Sequence, residues 1–366
     1  MQLRHDIQSL SQNFQIFADF QSAEPYGTGH INDTYAATYR QGGTTIRYIH
    51  QRINQNVFKN ARGLIENIQR VNDHLRAKLA GQPDVTRRTL TLVPACDGRM
   101  FFIDSQGECW RTYVFIENAR TYDAVESTQQ AFQAAKAFGR FQGLLADLSA
   151  PRLHDTIPDF HNTPKRFAAL EKAIEADAAN RGAAARAEIE FALRHKPMVS
   201  RLIDLQARCV LPERTTHNDT KFNNVMLDDA TQEGICVIDL DTVMPGLALY
   251  DFGDMVRTTT SPAMEDEKDL SKVCMQFPMF EALVRGYLAS AGEMLNPAEK
   301  ENLAFAGKLI TFEIGIRFLA DFLAGDVYFK VHRDGHNLDR CRTQFKLVES
   351  IEVQEDAMNR LVTSCS

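Results

Sequence analysis

The segment from His217 to Asp241 constrains this chain more than any other stretch. Two short apolar runs, Val225-Met226-Leu227 and Ile235-Cys236-Val237-Ile238, flank a polar turn from Asp228 to Gly234, the pattern of a β-hairpin. His217-Asn218-Asp219-Thr220-Lys221-Phe222-Asn223-Asn224 leads into the first strand, and Asp239-Leu240-Asp241 ends the second. A hairpin returns its exit to the side of its entrance, so Asn224 and Asp239 are expected at one edge. An amide oxygen and a carboxylate, with phosphate oxygens completing the shell, suit Mg²⁺, a hard cation that takes few of its oxygen ligands from protein. Asp219, five residues ahead of Asn224, then falls beside a transferring phosphate. There it can orient an acceptor hydroxyl and take its proton. Isolated carboxylates often only cap turns, but here acid, amide, strand, turn, strand and acid follow in order. His217 is read as a packed support for the loop rather than a reacting group.

The rest of the chain divides by pattern. Tyr35–Tyr39 and Thr44–Ile49 are β-rich runs around Gln41-Gly42-Gly43, a hairpin turn. Leu64, Ile68, Val71 and Leu75 recur at helical spacing within 60–80. Further strands are expected at Thr89–Val93, Met100–Ile103 and Trp110–Ile116, with Asp97-Gly98 as a turn. After Glu117 helices dominate: 126–148, 165–207 with a break near Gly182, and 298–324. The expected organisation is a small β-rich unit over 1–116 and a larger helical unit over 117–366 that contains the catalytic hairpin.

Ahead of the first hairpin, Tyr26-Gly27-Thr28-Gly29-His30-Ile31-Asn32-Asp33 places glycines where a backbone turn can approach phosphates closely. Gly27, Gly29 and His30 are the expected nucleotide contacts of that turn. The third glycine of a Gly-x-Gly-x-x-Gly turn is absent, Asn32 standing in its place.

Composition excludes several classes. A formal net charge of -7 argues against a nucleic-acid or acidic-membrane binder, which needs a basic surface. Seven scattered cysteines without a CxxC pair fit reduced thiols in a cytoplasm, with neither a disulfide framework nor a zinc site. No apolar run approaches the ~20 residues of a membrane span, and the polar N-terminus shows no signal-peptide pattern. Small molecules are the expected partners, and no obligate protein partner is inferred.

The catalytic segment resembles that of the protein-kinase superfamily, in which an Asp base precedes a metal-binding Asn by five positions and a metal-binding Asp follows on the next strand. Asn218, where protein kinases usually carry Arg, and the Ile-Asp-Leu-Asp ending resemble the aminoglycoside phosphotransferase and choline kinase branch. The resemblance implies an α+β, protein-kinase-like bilobal fold, Mg²⁺ as cofactor and ATP as donor. Asp251-Phe252-Gly253 spells another kinase motif, but it lies twelve residues past Asp239 and follows no clean strand. Asp251 and Asp254 are expected to brace the loop or cap a helix. A kinase-like small lobe should carry a phosphate-binding lysine on its third strand. Tyr48–Ile53 has none. Arg52 is the candidate, with Glu66 its possible ion partner, and the adenine is expected at backbone groups near Ile116-Glu117.

Across 26–345, the segments Tyr-Gly-x-Gly-His-Ile-Asn-Asp-Thr-Tyr, His-Asn-Asp-Thr-Lys-x-Asn-Asn-Val-Met-Leu-Asp, Val-Ile-Asp-Leu-Asp-Thr-Val-Met-Pro-Gly and Gly-Asp-Val-Tyr-Phe together resemble the N-acetylhexosamine 1-kinases. That resemblance implies transfer to the anomeric hydroxyl of N-acetylglucosamine or N-acetylgalactosamine. It implies sugar contacts from Asp219, Thr242, Arg317 and Tyr328. An arginine offers a forked donor to hydroxyls and an acetamido oxygen, and a tyrosine an apolar face with a polar tip. An Arg317–Asp321 ion pair and a core tyrosine are the plainer readings of the same residues. Trp110, the only tryptophan, is expected in the core or the nucleotide pocket. Two alternatives remain. One is a kinase of the same fold for another sugar, an amino alcohol or an aminoglycoside, though Lys330, Arg333, Arg340 and Arg342 disfavour a polycation. The other is a nucleotide-binding pseudokinase, suggested by the missing lysine and opposed by the intact Asp219, Asn224 and Asp239.

Overall fold

A computed structural model describes residues 4–27 and 31–365. In chain order, the first stretch comprises α1 (Ile7–Ser11), β1 (Asp19–Pro25), β2 (Asp33–Gln41), β3 (Thr44–Arg52), α2 (Ala61–Lys78), α3 (Val85–Arg88), β4 (Phe102–Ile103), β5 (Cys109–Val114) and β6 (Ala119–Arg120). Then come α4 (Thr128–Leu144), α5 (Thr163–Ala176), α6 (Arg186–His195), α7 (Arg201–Ala207), β7 (Arg214–Thr216), β8 (Val225–Asp228), β9 (Gly234–Val237) and β10 (Met244–Gly246). The chain ends with α8 (Ala248–Thr259), α9 (Phe277–Ala291), α10 (Pro297–Glu301), α11 (Leu303–Ala324) and α12 (His336–Cys365). Contacts gather these into two compact units. The first holds 1–123, 147–158 and 226–244, and the second 124–146, 159–225 and 245–366. The sequence reading drew a single break after 116. The structure instead counts most of the β8–β9 hairpin with the first unit.

The first unit is built on a five-stranded antiparallel sheet of order β1-β2-β3-β5-β4. Strand residues alternate between faces, and the two faces differ here in kind. Tyr35, Ala37, Tyr39 and Trp110 bury on one face with Ile7, Leu10 and Phe14 of the N-terminal segment. Trp110 is therefore a core residue, its indole N–H donating to Asp104 at 2.9 Å. The opposite face carries Thr34, Ile49, Gln51, Arg111 and Tyr113, where Gln51 stands directly across from Thr34 on one side and Arg111 on the other. Thr89–Val93 forms no regular strand. It runs beside β5 through one bridge, Leu92 to Tyr113, and Pro94, which lacks an N–H, follows at once. A separate sheet of order β6-β8-β9 contains the catalytic hairpin.

The second unit is helical. Asn162 caps α5 by accepting from the Lys165 N–H, and Asn296 and Glu299 form a capping box on α10. Phe167, Phe191, Phe312 and Phe345 pack in one core cluster, with Phe191 and Phe345 stacked at 4.5 Å. Gly253 of the literal Asp-Phe-Gly lies inside α8, where an added Cβ would sit 2.5 Å from the Ala306 carbonyl oxygen. That glycine serves close packing of α8 on α11.

Candidate active site

Asp219 sits in a short loop between β7 and β8, and the second unit fixes that loop from two sides. Asp251, fully buried in the first turn of α8, accepts the backbone N–H groups of His217 at 2.9 Å and Asn218 at 2.7 Å. Thr220 Oγ1 donates to the Asp251 carbonyl at 2.6 Å. Gln142 donates to the same carboxylate and accepts from the Tyr287 hydroxyl. Burial pushes the Asp251 carboxyl upward, opposed by His217 and by these donors. Asp251 is thus a brace. His217 packs edge-on against Phe138 and Phe141. On the other side His161 Nε2 lies 3.1 Å from the Asn218 carbonyl oxygen and Nδ1 2.8 Å from Glu313 Oε1. Both partners are acceptors, so both ring nitrogens donate and the ring is an imidazolium. Burial disfavours that charge, but Glu313 outweighs it and raises the His161 pKa. Thr163 Oγ1 donates to the remaining Glu313 oxygen at 2.6 Å.

Asn218 takes a left-handed backbone, φ 65°, which a short polar side chain tolerates. The turn exposes the next side chain. Lys221 Nζ lies 2.9 Å from Asp219 Oδ1, and Asn224 Nδ2 donates to the Asp219 carbonyl at 2.8 Å and to its carboxylate at 3.2 Å. Burial works against ionisation of Asp219, but Lys221 prevails and holds it below the usual carboxylate range. Asp219 in turn raises Lys221 to about 12. The amide nitrogen of Asn224 faces Asp219, which leaves its oxygen as the available donor to a cation.

In the first unit, Asp239 follows β9 with φ 56° and ψ 57°, a region costly for a residue with a Cβ and concentrated at functional sites. Thr242, in the turn after it, is buried. Gly27 has φ 80°, with no atom of the described residues within 4 Å of where a Cβ would stand, and the Tyr26 N–H donates to the Thr34 carbonyl at 2.9 Å. Gly29 and His30 lie outside the described residues. Glu117 pairs with Arg47, and its carbonyl accepts from Arg87 Nε at 3.1 Å. Arg52 is engaged elsewhere: it bonds Asp33 and Glu108, each at 2.8 Å. Its register partner is Trp110, so it stands on the core face, away from Gln51 and Thr34. Glu66 pairs with His154 at 3.0 Å and not with Arg52.

In the second unit, the Arg317 guanidinium faces the rings of Phe160 and Phe329 at 5.5 and 5.6 Å. It lies close enough to Arg166 that, after burial, its charge helps depress the Arg166 pKa. Asp321 is not its ion partner. It accepts the N–H groups of Val327, Tyr328 and Phe329 at 2.7–2.9 Å and the Asn337 amide at 2.9 Å. Those bonds shape the turn that leaves Tyr328 63% exposed.

Sequence reasoning missed Arg111, Gln51, His161 and Glu313. Arg111 and Gln51 meet only through the pairing of β3 with β5, and His161 and Glu313 are separated by 152 positions. No local motif marks either pair. Among the described residues no helix is long and apolar enough to cross a membrane.

Comparison with solved structures finds the same kinase-like arrangement of an antiparallel sheet unit and a helical unit. An aminoglycoside phosphotransferase from Alicyclobacillus acidocaldarius superposes with TM-score 0.66 at 10% identity, covering 100% of this chain and 98% of that one. A choline kinase from Cryptosporidium parvum gives 0.59 at 13%, covering 98% of each. A spectinomycin phosphotransferase, solved with ADP and spectinomycin, gives 0.55 at 12%, covering 96% and 97%. A family model described as the APH phosphotransferase enzyme family matches residues 22–272, well over half of the chain. With a braced acid in the catalytic loop and this fold around it, the chain belongs to the APH phosphotransferase enzyme family.

Proposed function

We propose that this protein is an ATP-dependent kinase that phosphorylates the C1 hydroxyl of N-acetylglucosamine or N-acetylgalactosamine. The observation that carries the phosphotransfer reading is Asp219. Its carboxylate is ionised beside Lys221, contacted by Asn224, and set on a loop held by Asp251 and His161. In the reaction, Asp219 orients the anomeric hydroxyl and accepts its proton as the oxygen bonds to the γ-phosphorus and ADP leaves. The amide oxygen of Asn224 and the carboxylate of Asp239 are assigned to Mg²⁺ by their donor chemistry, and the ion would neutralise charge on the donor phosphates. Gly27, Gly29 and His30 are assigned to the phosphate-covering turn, and the backbone near Glu117 to the adenine. Arg52, committed to two carboxylates, is withdrawn from the phosphates.

The acceptor reading is supported by the neighbourhood of Arg317. A guanidinium between two aromatic rings, with Arg166 close by, suits a neutral polyol and repels a polycationic aminoglycoside. Arg317, Tyr328 and Thr242 are assigned to the sugar. The test is incubation with Mg²⁺–ATP and a panel of free sugars, amino alcohols and aminoglycosides, followed by phosphorus NMR of the product. A sugar 1-phosphate is expected from the two N-acetylhexosamines. A 6-phosphate, or transfer only to another acceptor, overturns the acceptor assignment. Nucleotide binding without any transfer would favour a pseudokinase.

A further inference from the structure

The third strand of the sheet carries no lysine, and its one terminal cation, Arg52, points to the core face. The nucleotide-turn face of the same sheet nevertheless holds a guanidinium. Arg111 reaches it from β5, directly across from Gln51, which in turn stands across from Thr34 just past the glycine turn. Gln51 Oε1 accepts from both Nε (2.9 Å) and Nη2 (2.5 Å) of Arg111, and Gln51 Nε2 donates to Thr34 Oγ1 at 2.9 Å. Asp241, two residues past Asp239, approaches Nη1 to 2.5 Å. Its other oxygen accepts from Asn32 of the glycine turn at 2.7 Å. One network therefore joins Asn32 just before β2, the third strand and the acid-bearing turn after β9.

Two features separate this network from a plain buried ion pair. Arg111 is only 1% exposed, and its Nη1 meets Asp241 Oδ1 as a close ion pair short of an aligned hydrogen bond. A guanidinium carries five N–H donors; Gln51 and Asp241 engage three of them, and the remaining two are what a phosphate oxygen would take. Desolvation opposes the Arg111 charge, but the adjoining Asp241 carboxylate favours it. A carboxylate that keeps a phosphate-binding cation charged and aimed is the logic of the lysine–glutamate pair in protein kinases.

We propose that Arg111 supplies the cation for the polyphosphate of the donor nucleotide, with Gln51 and Asp241 holding its guanidinium in place of the absent third-strand lysine. Arginine is suited to the task because its planar fork can contact two phosphate oxygens. The proposal rests on the reading of the chain as an ATP-dependent kinase, and the test separates the two.

Affinities of the full chain for adenosine, ADP and ATP are measured by calorimetry with Mg²⁺ present. In the wild type affinity rises with each phosphate. In Arg111→Met the adenosine affinity is retained while the gain from the phosphates falls about 10- to 100-fold. Arg111→Met that keeps the full gain, or that loses adenosine and ATP affinity in equal measure, overturns the proposal. A wild type with no gain from phosphates instead sinks the donor reading itself. Should circular dichroism show Arg111→Met unfolded, Gln51→Ala carries the same comparison. It is expected to lower the phosphate gain about threefold or more, and an unchanged gain overturns the proposal.

Discussion

The N–H of Asn218 donates to Asp251 Oδ1 at 2.7 Å, one residue before Asp219, the carboxylate proposed to take the acceptor's proton. Because Asp251 also receives the His217 N–H, a side chain on α8 fixes two consecutive peptide units of the catalytic loop. Asp251→Ala leaves both buried N–H groups unpaired, at about 1–3 kcal/mol each. Urea denaturation should show a loss of about 2–5 kcal/mol. Asp251→Asn keeps one good acceptor. It should fold, with kcat lowered about tenfold and both KM values nearly unchanged. An unaltered kcat in Asp251→Asn would show that the brace does not set the base.

Asp219→Asn preserves shape and removes the carboxylate proposed as the proton acceptor. Turnover should fall about 10²–10⁴-fold, while nucleotide affinity measured by calorimetry stays within about threefold of wild type. Activity near the wild-type level would remove Asp219 from its role.

The His161–Glu313 pair makes stability depend on pH with a definite sign. The folded His161 pKa is raised above its ordinary 6.5, so the folded state binds the proton more tightly than the unfolded chain. Its stabilising contribution is fully present below that ordinary value. It is lost as pH rises through the folded pKa. The urea midpoint of the wild type minus that of His161→Gln should therefore shrink from about pH 6 to about pH 9. A difference that grows over this range would mean that His161 is neutral when folded.

Asp321 shapes the turn bearing Tyr328 by accepting three backbone N–H groups. Asp321→Ala releases that turn. If Tyr328 contacts the sugar, KM for the acceptor should rise about tenfold or more while KM for ATP is little changed. Tyr328→Phe tests the hydroxyl alone and should raise the acceptor KM about three- to tenfold. Equal effects on both substrates would place the turn elsewhere in the cycle.

What was legible in the sequence was whatever lies close together along the chain. The loop from His217 to Asn224 and the hairpin after it each declare themselves within a dozen residues. The long helices declared themselves by periodicity. The misplaced cation has a physical explanation that strand alternation supplies: residues 51 and 52 face opposite ways, and only 51 shares a face with Thr34. Counting parity from Thr34 across the hairpin would have disqualified Arg52. It would not have revealed Arg111, because the register of β3 against β5 is settled by packing sixty residues apart. The same distance problem hid His161 and Glu313. The Thr89–Val93 run has strand composition, yet Pro94 and a single bridge leave it irregular.

Helix α11 has a mechanical consequence. Glu313 anchors, through His161, the Asn218 carbonyl next to Asp219. Arg317 follows on the same helix one turn later. One rigid rod therefore gauges both the position of Asp219, the proposed base, and the grip assigned to the sugar. A sequence drifting toward a new acceptor cannot slide or rotate that rod to widen the sugar side without also detuning the base. Changes of acceptor should instead accumulate in the loop carrying Tyr328, beyond the left-handed Gly325 that ends the rod, where shape can vary while the gauge stays fixed.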